Sequence, residues 1–156
     1  MHCQRKRVLG VIGASRASAR GTEMAREVGA EVARSGAVLV CGGLGGIMEA
    51  ASRGCAERGG EVLGLLPGQD KAQANRYVTI AVPTNMGHAR NVIIAHTADA
   101  LIAIEGEYGT LSEMAIGLKL NKPVIVLPGG QQMAGTLSAE TPQEAVQLAL
   151  EQLERV

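Results

Sequence analysis

The sequence predicts an α/β fold: a single Rossmann-like, doubly wound parallel sheet with helices on both faces. Short apolar runs alternate with helix-length segments along the 156 residues, as in chains that build a parallel sheet from strand–helix units. The runs are apolar at almost every position, which is typical of strands buried on both faces. The chain has 21 glycines, two Tyr and no Phe or Trp, so small side chains must pack the helices onto the sheet.

One domain is expected over residues 1–156, because this length suits one domain and no internal repeat or linker interrupts the sequence. The predicted strands are Arg7–Gly13, Ala37–Cys41, Glu61–Leu66, Tyr77–Val82, Ala100–Ile104 and Pro123–Leu127. The predicted helices are Ala19–Ser35, a segment after Gly46 that runs to about Arg58, Gly87–Thr97, Leu111–Leu120 and Pro142–Leu153.

Helix ends and loops follow from particular residues. Gly36 and Gly59–Gly60 end the first two helices, since glycine is the usual residue just past a helix. Thr141 followed by Pro142 fits an N-cap with proline at the first helical position. The polar segment Pro67–Arg76 and the glycine-rich segment Pro128–Gly135 are expected to be loops.

The composition excludes several classes of partner. Fifteen basic and fifteen acidic residues cancel, so no overall positive field would attract nucleic acid. The scarcity of aromatic side chains argues against stacking platforms for single strands, and the basic run Arg5–Arg7 is expected to be a solvated strand entry. No stretch approaches the roughly 20 apolar residues of a membrane span. We therefore expect neither a nucleic acid nor a membrane as partner.

Cysteine and histidine patterns indicate neither a disulfide framework nor a metal site. Cys3, Cys41 and Cys55 are odd in number and have no C-x-x-C spacing, and His88 and His96 form no paired ligand motif. Nothing marks a cofactor such as pyridoxal phosphate, so no metal and no cofactor are expected. The apolar N-terminal run is short for a signal peptide, and a reducing cytoplasm is the expected location.

Three glycine-containing loops follow predicted strands. They are Gly13–Ser15, Gly42–Gly46 and Gly106–Gly109. In a parallel sheet all three fall at the same edge, where open α/β sheets bind ligands. Together they predict a crevice of nucleotide size. The first loop lacks the G-x-G-x-x-G fingerprint and the chain lacks a Walker A motif, which disfavours ATP hydrolysis.

The segment Glu105–Glu113 combines an anion site with a titratable group. Gly106 and Gly109 allow close backbone approach, and the free N–H groups of the following helix attract phosphate. Glu113 lies within one turn of that site. A structural interpretation stands beside this one: Thr110 and Glu113 fit a capping box, in which Thr110 caps the helix and Glu113 reaches back to the Thr110 N–H.

Arg90 also allows two interpretations. It stands early in a predicted helix, within Met86–Asn91. An arginine there is either a surface residue or partner of a carboxylate, or a fork that holds a phosphate or a ribose hydroxyl.

These motifs, in this order, resemble the Lonely Guy family of nucleotide-binding proteins, which is often labelled lysine decarboxylase-like. The resemblance covers about Val8 to Leu127. The family pattern Pro-Gly-Gly-x-Gly-Thr-x-x-Glu corresponds to Glu105–Glu113, and its upstream Arg-Lys corresponds to Arg90–Asn91. Gly42–Met48 looks like the glycine loop that follows the family's second strand.

The resemblance implies a nucleoside 5′-monophosphate phosphoribohydrolase, which releases a free base and ribose 5-phosphate. In such enzymes Arg90 would orient the ribose and Glu113 would assist the water or the oxocarbenium-like centre, as the catalytic pair. Lysine decarboxylation is not expected, because no residue supplies its cofactor chemistry. The implied ligand-binding residues are Gly13, Ser15, Gly42, Gly43, Gly45, Gly46, Met86, Asn91, Gly106, Tyr108, Gly109 and Thr110.

Departures from the family pattern favour another branch. Glu105 and Glu107 replace Pro and Gly, and Asn91 replaces Lys; all three changes lower the positive potential and weaken phosphate binding. Arg-Asn with Gly-Thr-Leu-Ser-Glu is similar to a less characterised branch that includes molybdenum cofactor carriers. A non-catalytic carrier or sensor of a phosphorylated purine or pterin is the second hypothesis, and a structural subunit whose glycine loops are only turns is the third.

The resemblance also implies an oligomer. Family members pair through the helices around Arg90 and Glu113, and this chain offers the apolar stretch Val92–Ala95 in such a helix. We therefore expect a homodimer or a higher homo-oligomer.

Overall fold

Seven parallel strands form one open sheet in the computed structural model, which describes residues 2–155. The strands are β1 (Val8–Gly13), β2 (Val38–Cys41), β3 (Val62–Leu66), β4 (Ile80–Pro83), β5 (Ala100–Ile104), β6 (Val124–Val126) and β7 (Leu137–Ser138). The helices are α1 (Ala19–Arg34), α2 (Ile47–Glu57), α3 (Arg90–Thr97), α4 (Tyr108–Lys119) and α5 (Pro142–Glu154). Single 3₁₀ turns lie at Lys71–Gln73 and Gly87–Ala89.

The strand order is β4-β3-β2-β1-β5-β6-β7, with every neighbouring pair parallel. Leu9 of β1 pairs with Leu39 on one side and Ala100 on the other. The chain therefore builds outward in one direction from β1 to β4 and in the other from β5 to β7. This reversal is the mark of a doubly wound sheet and confirms the predicted fold. Its switch point lies between the carboxyl ends of β1 and β5.

Helices cover both faces, each over its own apolar core. Leu9 and Val11 of β1 belong to the core under α1, α2 and α5. Ile12 of the same strand belongs to the core under α3 and α4, with Ile94 and Met114. Alternate residues of a strand point to opposite faces, so a strand that serves both cores must be apolar throughout. This explains the continuous apolar runs in the sequence.

Glycines bring α1 and α2 into backbone contact. A Cβ on Gly29 would overlap the carbonyl oxygen of Ala51, and a Cβ on Gly54 would overlap the carbonyl oxygen of Arg26. Both glycines are buried helical residues. The two helices can therefore approach only because these positions lack side chains.

Gly54→Ala is expected to lower the free energy of unfolding by about 1–3 kcal/mol, the usual cost of overpacking. The added methyl group forces α1 and α2 apart, which outweighs the gain in helix propensity. The measurement is urea denaturation followed by circular dichroism. Gly109→Ala is the matched control, because a Cβ there meets only Asn91 Nδ2 at 3.6 Å. Equal stability changes in the two variants would contradict the close-packing account.

The strand predicted from Tyr77 begins at Ile80, and the helix predicted from Gly87 begins at Arg90 after a 3₁₀ turn. Two further differences are more informative. The strand β7 lies in a segment just after the predicted glycine-rich loop, where it pairs with the edge of β6 through Leu137 and Ser138. Two residues carry no periodicity, so sequence patterns cannot reveal such a strand. The second difference is the start of α4, at Tyr108 instead of Leu111. It bears directly on the candidate site.

Candidate functional site

A cleft of about 230 Å³ opens at the carboxyl edge of the sheet, beside the switch point between β1 and β5. The loop after β1 forms one wall, the first turns of α4 form another, and α3 closes the third. Eight of the residues predicted for the site line this cleft. They are Gly13, Ser15, Gly42, Arg90, Asn91, Gly109, Thr110 and Glu113.

The other predicted glycines lie beside the cleft and shape its loops. Gly43 and Gly46 have left-handed φ angles of 76° and 67°, which suit glycine. A Cβ on Gly46 would overlap the backbone of Ala14 and Ser15, so Gly46 allows the loops after β1 and β2 to touch. Gly106 has a φ of 127° and packs against Thr110. Gly45 has open space around it.

Met86 and Tyr108 also stand outside the cleft lining. Their exposed fractions are 50% and 89%. Each precedes a cleft residue by one or two positions, since His88 and Gly109 both line the cleft. The two side chains therefore flank the cleft and face solvent in a single chain.

Sequence reasoning missed part of the lining. Val11, Ile12, Ala14, Met48, His88, Ile94 and Glu107 also contribute to it. The apolar members belong to the ends of core elements and carry no distinguishing signal. His88, Met48 and Glu107 had a usable signal, because each lies inside one of the motifs that mark the site.

Arg90 begins α3 and points inward to the ends of two strands. Its Nη1 donates hydrogen bonds to the carbonyl oxygens of Gly42 at 2.7 Å and Leu65 at 3.0 Å. A Cβ on Gly42 would overlap this nitrogen, so glycine is needed there. Arg90 thus joins α3 to the carboxyl ends of β2 and β3, instead of extending into solvent.

The remaining nitrogens of Arg90 have spare capacity. Its Nε is buried without a hydrogen-bond partner among residues 2–155, although buried polar groups are usually paired. Burial lowers the pKa of Arg90, while the charge of Glu113 raises it. An arginine titrates so far above neutral pH that the group stays cationic. The cleft therefore has a fixed positive charge at its base.

Glu113 lies in α4 with only 8% of its surface exposed. Burial raises its pKa from the ordinary 4.5 to about 8, and the charge of Arg90 opposes this rise. Among the described side chains, Arg90 and Glu113 do not form an ion pair within 4.0 Å. Glu113 is therefore mostly protonated at neutral pH, and its carboxylic acid can donate a proton or a hydrogen bond in the cleft.

The predicted capping box is wrong. The N-cap of α4 is Glu107, which makes no side-chain capping bond, and Thr110 is a buried residue inside the first turn. The helix begins early because Glu105 and Gly106 both take left-handed φ angles, 55° and 127°, and turn the chain at once. Glu113 is thus released from a capping role. The N–H groups of the first turn have no intrahelical partner, and Gly109 and Thr110 of this turn line the cleft.

The two carboxylates that depart from the family pattern have different positions. Glu107 lines the cleft. Glu105 does not; its carboxylate accepts hydrogen bonds from the N–H and the hydroxyl of Ser18, both at 3.0 Å. Of the two, only Glu107 adds negative charge to the cleft wall.

The described part of the chain offers neither a metal-binding cluster nor an activated thiol. Residues 2–155 hold no cluster of three or more His, Cys, Asp or Glu side chains that could bind a metal ion. None of their helices has the length and hydropathy needed to cross a membrane. Cys41 and Cys55 are buried free thiols, and burial raises the pKa of both, so neither is an activated nucleophile.

Comparison with known proteins identifies relatives over almost the whole chain. The model of the SLOG cluster4 family matches residues 6–154. An uncharacterized protein of Archaeoglobus fulgidus is 46% identical over 138 residues, which cover 88% of this chain and 91% of that protein.

Two solved structures share both the fold and appreciable sequence identity. The molybdenum cofactor binding protein from Rippkaea orientalis is 32% identical, with a TM-score of 0.91 over 97% of this chain and 99% of that one. The molybdenum cofactor carrier protein from Chlamydomonas reinhardtii is 32% identical, with a TM-score of 0.87 over 97% and 100% of the two chains.

Proposed function

The chain belongs to the SLOG cluster4 family, and from this membership and the geometry of the cleft we propose that it binds a phosphorylated purine or pterin. The predicted resemblance to Lonely Guy-like proteins, and to their branch of molybdenum cofactor carriers, is confirmed by the family match and by the two similar structures. Both structures cover nearly the entire chain, so their similarity includes every element that forms the cleft.

One observation carries the proposal: a helix start with free N–H groups, the cationic Arg90 and the buried carboxyl group of Glu113 share one cleft. The unpaired N–H groups of Gly109 and Thr110 would hold the phosphate. Arg90 would supply the positive charge beneath it. The protonated Glu113 would donate a hydrogen bond to a ring nitrogen or oxygen without repelling the anion. Gly13, Ser15, Gly42 and Asn91 complete the ligand contacts that we propose.

Carriage of a molybdenum cofactor-like ligand is the function that we favour. This cofactor contains a purine-like ring and a phosphate, and the free N–H groups at the start of α4 suit the phosphate. Two backbone carbonyls fix the position of Arg90 Nη1. The guanidinium group is therefore already oriented to bind a ligand. Glu107 lines the cleft at a position where the hydrolase pattern has glycine, so this chain departs from that pattern within the site itself.

Hydrolysis of nucleoside monophosphates is the second candidate, and the pKa of about 8 for Glu113 favours it. A general acid works best when its pKa is near the operating pH. In this reaction the Glu113 acid would protonate the leaving base as the C1′–N bond breaks. Water would then add to C1′ and return a proton to Glu113. The products are a free base and ribose 5-phosphate.

Base release separates the two candidates. We would incubate the purified protein with a panel of nucleoside 5′-monophosphates and detect free base by chromatography, with Glu113→Ala as the control variant. A carrier should release no base although it binds the phosphorylated ligand. Release by the wild type alone would replace carriage with hydrolysis as the conclusion.

We further propose that two copies pair over the cleft. Its volume of about 230 Å³ is below the roughly 300–1,000 Å³ that is usual for ligand pockets. Met86, Val92 and Tyr108 are exposed near its rim and could cover it from a second copy.

The free cysteines also fit the reducing cytoplasm in which we place the protein.

Val92→Glu is expected to give a monomer, because a charge in the centre of an apolar contact must be desolvated without a partner. Light scattering after gel filtration should give twice the single-chain mass of 16.1 kDa for the wild type and that mass for the variant. Ile80→Glu is the matched control, since Ile80 is similarly exposed on β4. A monomeric wild type, or dissociation by Ile80→Glu alone, would contradict this interface.

A further inference from the structure

Glu105 has a backbone conformation that glutamate rarely adopts. It follows β5 with a left-handed φ of 55°, which is unfavourable for a residue with a Cβ. Its side chain supplies the compensation, because its Oε1 accepts hydrogen bonds from the N–H and the hydroxyl of Ser18, both at 3.0 Å. Bonds to a carboxylate are stronger than neutral ones. The contact joins residues that are 87 positions apart in the sequence.

The start of α1 is built around this carboxylate. Ser18 is the N-cap of α1, and its hydroxyl oxygen also accepts a hydrogen bond from the N–H of Gly21 at 3.0 Å. A Cβ on Gly21 would overlap the Glu105 carboxyl group. Gly21 therefore leaves the room that the carboxylate fills. An anion at this position is also favoured by the dipole of α1.

The position matters because α1 follows the loop that forms one wall of the cleft. In doubly wound folds, the start of the helix after the first strand is a common position for a ligand phosphate. In this chain a carboxylate of the protein already occupies it. A second anion at the start of α1 would meet a fixed negative charge and would find the Ser18 donors engaged.

We propose that Glu105 determines ligand specificity by closing the start of α1 to phosphate. The inference rests on the proposed function, in which the start of α4 takes the phosphate. With α1 closed, the cleft accepts ligands with one phosphate monoester. It rejects pyrophosphate-bridged ligands, such as dinucleotides, whose second phosphate would approach α1.

The test uses inorganic phosphate and pyrophosphate as probes of wild type and Glu105→Gly, read by the backbone amide signals in NMR. Glycine suits the left-handed φ, so the variant should fold. In the wild type we expect phosphate to shift the amides of Gly109 and Thr110 and to leave Ser18 and Gly21 unchanged. In Glu105→Gly the amides of Ser18 and Gly21 should also respond, and the affinity for pyrophosphate relative to phosphate should rise about tenfold, which corresponds to about 1.4 kcal/mol.

Two further variants separate charge from structure. Glu105→Gln keeps the shape of the side chain and should give an intermediate response. Glu61→Gln removes the same charge at the amino edge of the sheet, where Glu61 pairs with Lys6, and should behave as the wild type does. A lower melting temperature of Glu105→Gly without a new anion response would reduce Glu105 to a structural residue and overturn the proposal.

The outcomes also distinguish this inference from the proposed function. If Ser18 and Gly21 respond to phosphate equally in wild type and Glu105→Gly, the inference fails even when Gly109 and Thr110 bind phosphate. If Ser18 and Gly21 respond only in Glu105→Gly while Gly109 and Thr110 never respond, the role of Glu105 stands and the phosphate site at α4 fails.

Discussion

Arg90→Met should weaken ligand binding about 10–100-fold. It should also lower the free energy of unfolding by about 2–4 kcal/mol, because it leaves two backbone carbonyls unpaired at about 1–3 kcal/mol each. Methionine keeps much of the apolar volume of the arginine stem, so the loss reports the Nη1 bonds to Gly42 and Leu65. Urea denaturation gives the stability, and titration with ligand at low temperature, where the variant stays folded, gives the affinity.

Two control substitutions make this result specific. Arg90→Lys keeps the charge but cannot reproduce the planar fork, so it should retain part of the stability and little of the affinity. Arg53→Met removes an exposed arginine that pairs with Glu57 on α2, and it should change neither property measurably. If Arg90→Met is as stable as Arg53→Met, the anchoring role of Arg90 is wrong.

The second large effect is a dependence of the free energy of unfolding on pH that the raised pKa of Glu113 produces. Its pKa is 4.5 in an ordinary environment and about 8 in the folded protein. The folded protein therefore holds the proton more tightly than the unfolded chain does. The stabilisation is fully present below the unfolded pKa and is lost as the pH rises toward 8. Each pKa unit corresponds to about 1.4 kcal/mol, so the loss should be about 3–5 kcal/mol.

Glu113→Gln should remove this pH dependence. The amide does not ionise, so the wild type and the variant should have similar stability near pH 4 and the variant should be the more stable near pH 8. The measurement is urea denaturation of both proteins at pH 4, 6 and 8, with Glu61→Gln as an exposed control. Parallel stability curves for wild type and Glu113→Gln would show that Glu113 titrates normally.

Ligand binding should follow the same titration. Above pH 8 the ionised Glu113 repels a phosphate and can no longer donate a hydrogen bond. Affinity should therefore fall as the pH rises through 8 in the wild type, while Glu113→Gln keeps a constant affinity over that range.

The fold could be predicted because its main signals are local. Ala100–Ile104 is apolar at all five positions, and the structure buries every one of them between two helical layers. Glycine and proline likewise mark helix ends at Gly36 and Pro142. Local sequence signals do not reveal β7, because its two residues form a strand only by pairing with β6.

The location of the candidate cleft could be predicted from the sequence, but its hydrogen bonds, helix start and pKa shift could not. The glycine loops could be placed at one sheet edge because each follows a predicted strand, whereas Arg90 could be assigned to the site only through the resemblance to Lonely Guy proteins. The anchor of Arg90 depends on Gly42 and Leu65, which lie 48 and 25 positions away. The early start of α4 depends on the left-handed φ of Glu105, which its side chain does not indicate. The raised pKa of Glu113 depends on burial, which only the packed structure provides.

We propose that this cleft binds a phosphorylated purine or pterin through Arg90 and Glu113. The most direct measurement is a binding titration of the wild type and Arg90→Met with molybdenum cofactor and with AMP, under conditions where circular dichroism shows that both proteins are folded. We predict saturable binding of at least one of the two by the wild type and an affinity about 10–100-fold lower in the variant, as expected for one charged hydrogen-bonding group. No binding by the wild type, or equal affinity in the two proteins, would contradict the account.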